Sequence, residues 1–241
     1  AAIAAASQGD HVLLLERQNK PGKKLLATGN GRCNLMNNGS LRYYGETSFA
    51  HEVFRFCPPT TVRSFWETLG LQLREEEDRV YPCTFQSTTV LEVLEAALRR
   101  YQVSFRPCER IIKIDKVQDH FEVQATSGNS FNGDRVILTT GGPPQPKLGG
   151  NRDGYQLMTP FQHRWTEPFP ALTPLETDPR SVSGLNGIRV RCSIRLLDRE
   201  GSLLHQERGE VLFTEDGISG ICAMQCARFL RSEERRCREK V

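Results

Sequence analysis

Apolar positions recur along this chain with two different periods, and the places where the period changes outline its elements. Ala1 to Ser7 is a run of small residues with Gly9 just beyond it, which predicts a short helix and its C-terminal stop. Val12-Leu13-Leu14-Leu15 is a short continuous apolar stretch that reads as a strand ending in Glu16. After Asn38 regular patterning is lost for about twenty residues. Val62, Phe65, Trp66 and Leu69 then return at i, i+3, i+4 and i+7 before Gly70, the mark of an amphipathic helix with a glycine stop. The acidic run Arg74 to Asp78 reads as a solvated face or turn, and Arg79 to Cys83 as extended chain because of Pro82. Thr89-x-x-Glu92 predicts a capping box for a further helix through Val93, Leu94, Ala97 and Leu98, with Arg99 and Arg100 complementing the dipole of its last turn.

From Val103 the period drops to two. Val103 and Phe105 alternate, then Ile111 to Ile114, Phe121 to Ala125 and Arg135 to Thr140, with turn residues at Gln118-Asp119 and Ser127 to Asn129. This is a β-meander followed by an apolar strand that closes on Gly141-Gly142, at a carboxyl end, where open α/β sheets bind ligands. A second glycine-rich loop, Lys147 to Gly154, offers Asp153 as the cap of a helix through Tyr155, Leu157 and Met158 that Pro160 should end. Beyond Trp165 prolines and short alternating strands take over, notably Ile188 to Leu196 and Glu210 to Phe213. Residues 1–165 are therefore read as an α/β domain, 166–213 as part of an inserted β-rich domain, and 214–241 as the start of a helical segment.

The chemistry concentrates between Gly22 and Asn38, G-K-K-L-L-A-T-G-N-G-R-C-N-L-M-N-N. Glycines let backbone N–H groups converge on an anion, and from Glu16 to Arg32 the bases Arg17, Lys20, Lys23, Lys24 and Arg32 face one acid, so the local field favours a phosphate. Helix, glycine turn, apolar strand and terminal acid form the second half of a dinucleotide-binding βαβ unit, in which Glu16 accepts hydrogen bonds from an adenosine ribose. The glycine fingerprint of such a unit lies about 20 residues before its acid. It is expected ahead of Ala1 together with the first strand, and the 241-residue piece is expected to bind a dinucleotide poorly without it.

Composition narrows the alternatives. A net charge of +3 gives little support to a nucleic-acid or membrane surface, and no apolar run approaches the roughly 18 residues that span a bilayer. The eight cysteines contain no C-x-x-C pair and are scattered as reduced thiols of a cytoplasmic protein would be; Cys222 and Cys226 could share a helix face, but no metal site is expected. His51, His120, His163 and His205 are dispersed, so no catalytic residue is assigned.

Four ordered strings, G-K-K-L-L-A-T-G-N-G-R-C-N, V-I-L-T-T-G-G, G-x-x-x-D-G-Y and G-E-V-L-F-T-E-D-G-I-S-G, resemble the bacterial NAD(P)/FAD-dependent oxidoreductase family that includes aminoacetone oxidase and the bile-acid-operon flavoproteins. The resemblance implies a Rossmann-type, glutathione-reductase-like FAD domain with a β-meander, interrupted by a β-barrel-like domain and a small helical segment. It implies FAD as cofactor, NAD(P)H as a possible electron donor and a small molecule as substrate. Carried onto this chain, Glu16 with Arg17 and Lys24 serves the adenosine and phosphate side, and Thr28, Gly29, Asn30, Gly31, Arg32, Cys33 and Asn34 line the flavin. Thr140, Gly141 and Gly142 approach from the second strand, Asp153 joins them, and the Ile111 backbone faces adenine. Pro143-Pro144 and Gly150-Asn151-Arg152 depart from the family pattern, as does Ile221, which stands where a proline is usual. A non-catalytic module that uses the same loop for another phosphorylated ligand or a nucleic acid is the competing reading, and it would bind RNA or DNA salt-dependently without flavin.

Overall fold

A computed structural model of the chain describes residues 1–39, 43–44 and 47–230. It divides into two compact units, Ala1–Trp165 and Thr166–Val241.

In the first unit, α1 (Ala2–Ala6) is stopped by Gly9 in the left-handed region (φ 95°), and β1 (Leu13–Leu15) follows. The glycine-lysine stretch, expected as open loop, instead winds into α2 (Lys23–Leu26) and a 3-10 turn over Thr28–Gly31 before β2 (Met36–Asn37). Next comes α3 (Thr47–Phe56), where no element was expected. Phe49, Val53 and Phe56 do carry i, i+4, i+7 spacing, yet all are exposed, Phe49 at 72% and Phe56 at 78%, so their stripe does not mark a buried face. The helix α4 (Pro59–Thr68) opens with proline in its first turn, where the missing N–H costs nothing.

One expectation holds and one is corrected in the stretch that follows. The acidic run is an exposed face and turn as expected, its first part lying on the strand β3 (Leu73–Glu76), which turns at Glu77-Asp78 to pair with β4 (Arg79–Pro82) in a sheet of order β2-β4-β3. Its carboxylates are held by cations and amides rather than by solvent alone: Glu75 meets Arg63 and Asn38, and Glu76 meets Arg32. The predicted capping box is absent, because α5 (Ser87–Arg100) starts two residues ahead of Thr89, whose hydroxyl accepts from Thr84 Oγ1 at 2.8 Å. Ser87 Oγ instead donates to Leu26 O at 2.9 Å and ties α5 to the end of α2.

The strand β5 (Ser104–Arg106) then returns to pair in parallel with β1, Leu13 opposite Ser104 and Leu15 opposite Arg106. A parallel pair needs a crossover, and everything from α2 to α5 supplies it. The meander β6 (Ile111–Val117), β7 (His120–Ala125) and β8 (Ser130–Gly133) is antiparallel throughout. Arg135 to Thr140, expected as a strand, pairs with no described strand. Its alternation survives without the ladder: Val136 and Leu138 pack with Leu15, Ile114, Val123 and Leu157, while Ile137 is 64% exposed. Among the described residues, side-chain burial rather than a ladder holds this segment. It leads into α6 (Asp153–Met158), and the early stop expected at Pro160 appears as a 3-10 turn over Thr159–Phe161.

In the second unit, β9 (Leu175–Glu176), β10 (Arg189–Leu197), β11 (Leu203–Thr214) and β12 (Gly217–Ser219) form an antiparallel sheet of order β10-β11-β12-β9. The helix α7 (Ile221–Cys226) packs on β11, with Cys222, Ala223, Cys226 and Val211 all buried. The helical continuation expected over 231–241 lies outside the described residues.

Candidate cofactor site

The carboxyl end of β1 organises the site. Glu16 is half-buried and held in the sheet by its backbone, its N–H donating to Arg106 O and its carbonyl accepting from Glu109 N. One carboxylate oxygen, Oε1, accepts from Gln18 N at 2.8 Å, which fixes the side chain, and Oε2 accepts nothing from a described residue. Beside it Arg17 donates to Gly149 O at 3.1 Å and stands 3.6 Å from Asp153 Oδ2.

Asp153 was expected to cap α6 and does not. It is the first residue of that helix, and its carboxylate is taken by Arg110 through two hydrogen bonds, Nε to Oδ2 at 3.0 Å and Nη2 to Oδ1 at 3.2 Å, a fork that raises the Arg110 guanidinium above its already high range. Asn151 Oδ1 accepts from Asp153 N at 2.7 Å in its place. The result is a fixed chain of contacts from β1 through Arg17 to Asp153 and on to Arg110 at the edge of the meander.

The glycine turns close around these groups. Gly141 is left-handed (φ 73°), Lys24 Nζ donates weakly to Gly142 O at 3.4 Å, and Asn151 N donates to the same carbonyl at 3.1 Å. A Cβ on Gly154 would stand 2.1 Å from Thr140 Oγ1, and one on Gly150 only 2.0 Å from Pro144 O. At 150 the obstacle is a backbone carbonyl, so glycine is required there, whereas at 154 the obstacle is the Thr140 hydroxyl. Lys24 forms no ion pair with a described residue, so a bare ammonium faces the Gly141-Gly142 turn.

The string from Thr28 to Asn34 behaves differently. Thr28 Oγ1 donates to Leu25 O, and Gly29, Asn30, Gly31 and Cys33 all take positive φ (55°, 54°, 84° and 56°). A Cβ on Gly29 would meet Asn34 N at 2.9 Å. Left-handed Asn and Cys are strained, and such strain concentrates at binding sites. Two side chains, however, are committed elsewhere. Cys33 is 2% exposed and packs with Leu71 and Val90. Arg32 was expected to offer charge to an anion, but it is ion-paired with Glu76 and lies over the rings of Tyr81 (4.5 Å) and Phe85 (4.2 Å). Lys24, unlike Arg32, carries a charge unmatched by any described residue. Ile111 opens β6 opposite Ala125 and turns its side chain into the core with Ile114 and Leu157.

Sequence reading passed over Gln18 and Arg110. The Gln18 contact is a backbone one and leaves no trace in residue type, and the Arg110–Asp153 pair spans separate elements that only the fold brings together. Among the described residues no His, Cys, Asp and Glu grouping could hold a metal ion, and no helix is long and apolar enough to cross a membrane.

A parallel strand pair with its acid at the carboxyl end, facing glycine turns and a helix, defines a Rossmann-type α/β domain. Residues 1–225 match the HI0933-like protein Rossmann domain, and the chain belongs to that family. It is 36% identical over 236 residues to the 3-dehydro-bile acid Δ(4,6)-reductase of Clostridium scindens, covering 95% of this chain and 57% of that protein. It is also 22% identical over 237 residues to the ribosomal RNA dihydrouridine synthase of Escherichia coli, covering 95% of this chain and 58% of that one. The chain thus spans little more than half the length of these relatives. Among solved structures, the amino acid oxidase NikD of nikkomycin biosynthesis aligns at 13% identity over 80% of this chain and 53% of its own, with a TM-score of 0.35.

Proposed function

We propose that the protein is an FAD-dependent oxidoreductase whose adenosine and phosphate groups are held at the carboxyl end of β1. The observation that carries this reading is the presence of a fixed carboxylate that keeps one oxygen open, Glu16, and an ammonium with no counter-ion among the described residues, Lys24, beside the left-handed glycine turn at Gly141. These residues fit the cofactor: a ribose diol needs an acceptor, a pyrophosphate needs cations and close backbone, and Arg17, Lys24, Gly141 and Gly142 provide them. Bound flavin would supply exchange of an electron pair, and the chain's own groups orient it.

The two relatives' names share one reaction type, reduction of a carbon–carbon double bond. We therefore place the substrate among small molecules with an alkene conjugated to a carbonyl, with NAD(P)H as the electron donor. The net charge of +3 gives a weak field for RNA and favours the small molecule. The test is isolation of the full-length protein in a cytoplasmic host. Flavin absorbance, release of FAD on heating, and NAD(P)H-dependent loss of a 3-oxo-4-ene steroid chromophore support the proposal. A colourless product that FAD cannot reconstitute refutes it, and salt-dependent RNA binding without flavin supports the binding-module alternative.

A further inference from the structure

The second unit holds a thiol pair with no part in the cofactor site. In the β10–β11 ribbon Val190 is opposite Val211, Cys192 opposite Gly209, Ile194 opposite Glu207 and Leu196 opposite His205. Directly opposed residues share a face, so these four pairs lie on one side of the ribbon. That side carries α7: a Cβ on Gly209 would stand 3.2 Å from Cys222 Cβ and 3.9 Å from its sulfur. Cys222 thus packs against Gly209, the residue directly opposite Cys192.

Gly209 therefore adjoins both cysteines, and it has no side chain. Cβ positions of an opposed antiparallel pair lie about 4.5–5.5 Å apart, so Cys192 and Cys222 both flank the empty side-chain position of Gly209, and closing a disulfide, which asks for a Cβ separation of about 3.5–4.5 Å, takes a shift of α7 or β10 into that gap. Any larger residue at 209 would fill that gap. Cys192 is exposed and Cys222 buried, an arrangement of one accessible thiol and one protected thiol.

We propose that Cys192 and Cys222 form a redox-active dithiol that a hydroperoxide closes into a disulfide joining β10 to α7. The Cys192 thiolate attacks a peroxide oxygen, giving a sulfenic acid and, for hydrogen peroxide, one water. The Cys222 sulfur then attacks the sulfenic sulfur, forming the S–S bond and releasing a second water. Two thiols and one peroxide become one disulfide and two waters, with the two sulfurs oxidised and the peroxide reduced. Burial pushes the Cys222 thiol up, which assigns the first attack to Cys192. Cys226 is fully buried in the next turn of α7, where its thiol donates to Cys222 O at 3.4 Å.

The test is treatment of the reduced full chain with stoichiometric hydrogen peroxide, alkylation under denaturing conditions, and peptide mapping without reductant. The expected result is loss of two of the eight thiols and a linked peptide pair carrying Cys192 and Cys222. Cys192→Ser, a change at an exposed site, abolishes the link, and Cys226→Ser retains it. Gly209→Ala, which puts a methyl group into the gap, slows its formation at least tenfold. Oxidation of Cys192 to sulfinic acid with Cys222 still alkylatable, or a disulfide that survives Cys192→Ser with the same thiol loss, overturns the proposal.

Discussion

Gly154 and Thr140 provide a quantitative check on how the two glycine-rich loops meet. A methyl group at 154 would lie 2.1 Å from Thr140 Oγ1, far inside van der Waals contact, whereas Thr140 Cβ is already 3.4 Å away and Cγ2 3.8 Å. The collision is therefore with one atom. Forcing an extra methylene into a packed site typically costs about 1–3 kcal/mol. Gly154 also sits inside α6 without positive φ, so alanine there recovers about 0.5–1 kcal/mol of helix propensity. Gly154→Ala alone should be destabilising by about 0–2.5 kcal/mol, or up to roughly 10 °C in Tm for a chain of this size. Thr140→Ala, at an exposed side chain, should stay within about 0.5 kcal/mol. In the double variant the oxygen is gone, the steric cost vanishes and the helix gain remains, so stability should return to the parent's or exceed it by up to about 1 kcal/mol. Urea melts followed by far-UV circular dichroism on all four proteins measure the cycle. A double variant no more stable than Gly154→Ala would show that the loops do not meet as described.

Other outcomes follow from single contacts. Lys24→Met should weaken FAD binding by the full-length protein about tenfold, in line with loss of one charge-assisted contact, while leaving Tm within about 2 °C because, among the described residues, its side chain bonds only to Gly142 O, at 3.4 Å; equal affinity in fluorescence titration would remove Lys24 from the site. Arg32→Lys should be destabilising by about 1 kcal/mol in chemical denaturation, since an ammonium cannot stack flat over Tyr81 and Phe85; unchanged stability would mean the stacking contributes nothing. Burial holds the Cys222 and Cys226 thiols above the ordinary thiol range, so the unfolded chain loses these protons first as pH rises. The stability they contribute is whole below about pH 8.5 and falls above it toward their raised native values. The Cys222→Ala variant, compared with the parent in melts from pH 7 to 10, should show a shallower decline.

How much of this was legible beforehand depended on whether a residue's type or its surroundings fixed its structure. The meander and the amphipathic helix at 59–68 were readable because burial of alternate or i, i+3, i+4 positions is a property of local spacing. The strand status of Arg135 to Thr140 was not, because its alternation reports burial and says nothing about a partner for its N–H groups. The capping box failed for a similar reason: Thr89 has the right side chain, and Thr84 claims it. In the site, Glu16 stood out by its place at a strand's end. Which of several cations would remain unpaired could not be read, since Glu76 reaches Arg32 only after β3 and β4 have folded into a hairpin.

The pairing of Leu13 with Ser104 also has a consequence during synthesis. At about 5–20 residues per second, ninety-one residues (104 − 13) separate the two strands by roughly 5–18 s of translation. Leu13, Leu14 and Leu15 leave the ribosome long before β5 exists to cover their edge, while α2 to α5 form from local contacts in the interval. The backbone bonds that hold Glu16 to Arg106 and Glu109 consequently cannot form until β5 has emerged, and a nascent chain stalled before Ser104 would present the β5-facing edge of the leucine strand to chaperones.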